Sequence, residues 1–107
     1  MSDFDPDSIF SKLVESGEEW CDKQAAAEIL EENKKTVLAE IMAGFQGSTA
    51  ERERNALADS PYKLHLKNMT AARSEANRAR VRYDSMKVLA EMRRTEASTR
   101  RAEMMMR

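Results

Sequence analysis

From Pro61 to Arg107 the chain runs 47 residues without an internal glycine or proline. Those two residues interrupt helices most strongly, so the stretch predicts one helix of about 70 Å at 1.5 Å per residue. Ser60-Pro61 supplies a start signal, a capping hydroxyl followed by a proline at the first helical position. A helix of this length in a 107-residue protein implies no compact catalytic cavity. It implies a protein that packs, assembles or binds along a helix side.

The heptad register of this segment can be followed by eye. One position reads Tyr62, Met69, Ala76, Tyr83, Ala90, Ala97 and Met104; the position three residues later reads His65, Ala72, Ala79 and Met86, then turns basic at Arg93 and Arg100. Small residues on a seam let two helices approach closely. Tyr62, Met69, Ala72, Ala76, Ala79, Tyr83 and Met86 are therefore the expected packing or oligomer seam, set against Leu30, Val37 and Ile41. Beyond Ala90 the seam weakens, because arginines take over its second position.

Upstream, Asp5-Pro6 reads as a cap-and-proline start, Ile9, Phe10, Leu13 and Val14 share a face, and Gly17 stands where a left-handed cap would end a short helix. The expected elements are helices at about 5–16, 18–45 and 61–107, with a connector at 46–60 that holds a Ser48–Glu51 capping box and turns of polar helix. Trp20, Ala27, Leu30, Val37, Leu38, Ile41 and Phe45 form the stripe of the second helix. The fold expected is all-α and single-domain: a helical hairpin with a very long C-terminal helix and a short N-terminal one. The last helix would overhang the second by about 20 residues, so completion by oligomerisation is expected, with a dimer favoured.

Composition agrees with helices that associate. Ala, Glu, Lys, Leu and Arg make up about half of the chain, and Leu, Ile, Val and Phe only about 16%. Net charge is −1, but residues 1–60 carry 6 basic and 14 acidic groups, and 61–107 carry 12 basic and 5 acidic. Arg73, Arg80, Lys87, Arg94 and Arg101 recur every seven residues as a basic line. Pairing with acidic residues of the second helix would fix hairpin register. The sharper alternative is a nucleic-acid or partner contact, with these cations neutralising phosphates.

Enzymatic machinery is not expected. One histidine and one cysteine cannot build a His/Cys zinc cluster within one subunit. Gly44 and Gly47 lack the GK[ST] of a phosphate loop, and the Glu-x-x-His pairs of carboxylate-bridged metal sites are missing. His65 is expected to pack on the seam, and Cys21 to be a buried structural thiol. No catalytic residue, metal or cofactor is assigned. With a single cysteine and no apolar run of membrane-spanning length, a cytoplasmic protein with no membrane contact is expected.

The stretch EANRARVRYDSMKVLAEMRRTEASTRRAEM, residues 75–104, has a general resemblance to small helical proteins of bacteriophage and prophage gene sets, without pointing to one family. What the resemblance implies is a setting of replication, recombination, packaging or virion assembly. The expectation is a non-enzymatic helical assembly or adaptor protein that acts through self-association and a protein partner. The alternative is a nucleic-acid-binding accessory factor that uses the basic line.

Overall fold

The structure, a computed structural model, describes residues 6–106. Its described residues are all-α: α1 (Pro6–Glu32), α2 (Lys34–Met42), α3 (Thr49–Leu57) and α4 (Ser60–Met105). The 46 residues of α4 realise the long C-terminal helix. Its first turn includes Ser60, one residue ahead of the expected start.

The N-terminal half departs from the expected boundaries. Gly17 does not end a helix: α1 passes through it without a break for 27 residues. The expected cap at Asp5 lies outside the described residues. The break falls instead at Asn33, at φ −79° and ψ −4°, and α2 then stops at Met42, ahead of Phe45. Asparagine is among the weaker helix formers, and its side chain makes no capping hydrogen bond here.

By internal packing the chain forms two compact units. The first joins α1 through Cys21 to α4 from Asn77 onward. Here the ring edge of Tyr83 packs against Gly17: a Cβ at that glycine would sit 3.2 Å from it. Gly17 is thus a seat for an aromatic ring, not a helix stop. The ring of Trp20 stacks on the same tyrosine, centroid to centroid at 5.4 Å and tilted by 30°. The chain directions of α1 and α4 are antiparallel in this unit, with Glu19 paired to Arg82.

The second unit is Asp22–Ala76, comprising the rest of α1, α2, α3 and the opening turns of α4. Pairings from Lys23 with Glu75 to Leu30 with His65 show the same antiparallel order. α3 is capped as expected, the Ser48 hydroxyl accepting from the Glu51 amide at 3.2 Å, and α2 packs on α3. Within this otherwise polar helix Ala56 is fully buried. The turn into α3 needs a glycine at Gly47, where φ is +114°, a region side chains rarely adopt.

Candidate interaction surface

The seam of α4 is visible residue by residue. Tyr62, Ala76 and Ala79 are buried, and Met69, Ala72, Tyr83 and Met86 are half-buried. Leu30, Val37 and Ile41 are half-buried as well. α1 carries a seam of its own, which joins the face of Ile9 and Leu13 to the stripe of Trp20, Ala27 and Leu30 that were expected on separate helices. Ile9, Leu13, Ser16, Trp20, Lys23, Ala27 and Leu30 are all buried or half-buried, at alternating steps of four and three residues. That spacing runs straight through Gly17 and was the available signal that one helix, not two, occupies the segment.

His65 occupies a seam position and its Nε2 donates to the Leu30 carbonyl at 2.9 Å. Leu30 stands in the last turn of α1, where carbonyls lose their donors within the helix. The imidazole therefore supplies a hydrogen bond that the break at Asn33 would otherwise cost. Cys21, expected to be buried, is exposed, because it lies about 100° around α1 from Trp20 and about 120° from Ala27, to one side of the seam.

Ion pairs flank the seam. In the second unit Arg73 grips Glu31 in fork geometry, Nε to Oε1 at 2.8 Å and Nη2 to Oε2 at 3.0 Å, and Lys23 meets Glu75 at 3.2 Å. In the first unit Arg82 pairs with Glu19. Of the expected basic line, only Arg73 is held in this way. Arg80, Lys87, Arg94 and Arg101 are exposed and have no ion-pair partner among the described residues.

Past Ala90 the seam opens. Ile9, Phe10 and Leu13 of α1 face Ala90, Arg93, Arg94, Ala97 and Arg101 of α4 across a groove of about 430 Å³. Its floor is apolar, because the alanines are too short to fill the space beside Ile9 and Leu13. Its rim is cationic. Arg93 is turned along its own helix toward Glu96, at 3.2 Å, whereas Arg94 and Arg101 on the rim have no ion-pair partner among the described residues. Phe10 remains 66% exposed at the groove edge.

Among the described residues no three His, Cys, Asp or Glu side chains come together as a metal-binding group, and no helix is long and apolar enough to cross a membrane. No protein-family model, curated protein or solved structure matches this chain.

Proposed function

We propose that the protein is a non-enzymatic helical assembly or adaptor element that self-associates and presents its C-terminal helix to a protein partner. The observation that carries this reading is the thinness of the core. Among the described residues the buried apolar side chains are Ala27, Ala56, Tyr62, Ala76 and Ala79, and none of the large ones is fully buried. Phe10, Ile29, Leu64, Val81, Val88 and Met92 are each more than half exposed. At about 25 cal/mol per Å² of buried apolar surface, four alanines and one tyrosine supply little of the free energy that ordering such a chain costs. Small domains with so little core are commonly completed by association.

The test is the mass of the purified protein by light scattering or sedimentation at tens of micromolar. A dimer or larger assembly is expected; a strictly monomeric mass removes the proposal. The general resemblance of residues 75–104 to small helical bacteriophage proteins supports an assembly setting, and the place of work we propose is the cytoplasm.

A second reading, nucleic-acid binding, is favoured by one observation: Arg80, Lys87, Arg94 and Arg101 stand exposed at seven-residue intervals without acidic partners among the described residues. Four phosphate contacts would give a logarithmic salt slope of about −3 to −4. Retention on a short duplex or single strand that fails to respond to salt, or no retention at low salt, rules this reading out.

A further inference from the structure

A helix that packs on one side ordinarily sets its charges on the other, and α4 does not. Val88, Met92 and Thr95 stand nine residues, two and a half turns, beyond Ala79, Tyr83 and Met86 of the covered seam, so they lie on the opposite face. Along that face runs a second strip, Val81, Ser85, Val88, Met92, Thr95 and Thr99, at alternating steps of four and three residues and without a charge. All six are exposed, and Val81, Val88 and Met92 by more than half. The charges stand in the rows beside the strip, with Asp84 and Glu91 on one side and Arg82, Glu96 and Glu103 on the other. Val81, Asp84, Ser85 and Val88 border a hollow of about 410 Å³ over the short Ser85 side chain. Residues at this spacing, i, i+3, i+4 and i+7, are the four that make the hole for a side chain of a facing helix in coiled-coil packing.

We infer that this far face of α4 is a dimer interface, covered by α4 of a second copy that lies antiparallel about a two-fold axis at residue 90. Charge complementarity selects the occupant. In that register Arg78, which continues the strip at its N-terminal end, packs against Glu103 of the second copy, and Arg82 faces its Glu96. Each pair recurs on the other side of the axis, as an isologous interface requires. Arg78 and Glu103 are exposed and have no ion-pair partner among the described residues. Arg82 and Glu96 are bonded within the chain to Glu19 and Arg93, yet their side chains are about half exposed and open to a second partner. The strip meets itself: Met92 lies on Val88, Val81 on Thr99, and Thr95 enters the hollow over Ser85, bringing two hydroxyls together. Parallel helices would instead set Arg78 on Arg78 and Glu91 beside Glu96. At the rim the antiparallel register brings Glu91 to its counterpart, a solvent-screened contact of small cost.

This inference rests on the self-association proposed above, and the experiment separates the two. Sedimentation equilibrium is run on the wild type, Val88→Glu, Arg78→Glu, Glu103→Arg and Arg78→Glu/Glu103→Arg, each checked for helicity by circular dichroism. The wild type is expected to dimerise. Val88→Glu sets two carboxylates in the centre of the interface and should weaken dimerisation at least about tenfold. Each single reversal at the ends should weaken it several-fold, and the double reversal should restore it. Residues 78 and 103 lie about 38 Å apart along α4, so they cannot meet within one copy, and recovery reports an antiparallel contact between copies. Should Val88→Glu lose helicity, Val88→Thr, of the same shape, replaces it and must also weaken association. A wild type that dimerises together with a Val88 variant that dimerises equally well overturns this interface and leaves self-association standing. End reversals without effect, or a double reversal that does not recover, overturn the antiparallel register and the proposal with it. A monomeric wild type overturns both.

Discussion

α4 contains two tracts that share one heptad register and differ in what covers them. From Tyr62 to Met86 the seam positions are buried or half-buried, down to 1% exposure at Ala76 and none at Ala79. From Ala90 the register continues through Arg93, Ala97, Arg100 and Met104, yet cover ends at Ala97, and Met104 is 73% exposed. Helix propensity hardly differs between the tracts, since alanine, arginine, methionine and glutamate fill both. The difference lies in the second seam position, which changes from His65, Ala72, Ala79 and Met86 to arginine. A repeat spacing therefore orients a helix without making a core; burial needs apolar or small side chains at both positions of the seam.

The largest effect should come from placing a charge on the covered tract. Ala79→Glu puts a carboxylate where no space or partner exists and should cost about 3 kcal/mol or more, seen as a large fall in the midpoint of thermal unfolding by circular dichroism. Ala102→Glu, an exposed position in the open tract, should change stability by less than about 0.5 kcal/mol. Equal losses at the two sites would erase the distinction between them.

Next in size is Gly17→Leu. The added side chain must displace the Tyr83 ring and with it the contact to Trp20, so a loss of about 2 kcal/mol is expected. A Tyr83→Ala background should absorb most of that loss, because the obstructing ring is gone. If the two substitutions are additive, Gly17 and Tyr83 do not share a contact and the covered seam is looser at its first-unit end.

These residues also show what could be read ahead of the structure. The α4 seam was legible because Tyr62, Met69, Ala76 and Tyr83 recur without interruption, and so was the Ser48 cap, whose partner Glu51 stands three residues on. The course of α1 was not, because glycine serves two opposed purposes, ending a helix or clearing room for a neighbour. The choice between them at Gly17 depends on Tyr83, 66 positions away in sequence. The exposure of Cys21 was legible, since the stripe of Trp20, Ala27 and Leu30 already leaves it to one side. The groove was half legible: the shift to arginine after Ala90 could be seen, but not that Ile9 and Leu13 would form its other wall.

The ion pairs that flank the covered tract should matter less than its packing. Arg73→Ala removes the fork to Glu31, whose side chains are each 38% exposed, so solvent screening limits the loss to at most about 1 kcal/mol. Raising the salt concentration should shrink it further. A loss of several kcal/mol that salt leaves unchanged would mean that charge, not the alanine and tyrosine seam, holds the second unit together.

The smallest change, Gly17→Ala, is the finest measure of how tightly the covered tract is packed. A helix-interior glycine is worse than alanine by about 1 kcal/mol on backbone grounds, so the substitution begins with a gain. Against it, the new methyl would lie 3.2 Å from the Tyr83 ring edge, and the ring must give by a few tenths of an ångström while keeping its stack on Trp20. The two effects should nearly cancel, leaving a shift within about 0.5 kcal/mol of zero. Ser98→Ala on the open tract meets no neighbour of that kind, since Ser98 is exposed, and should keep its whole propensity gain of roughly 0.5 kcal/mol. If Gly17→Ala instead realises its full gain, Tyr83 moves aside freely and the covered tract packs no more closely there than the open one.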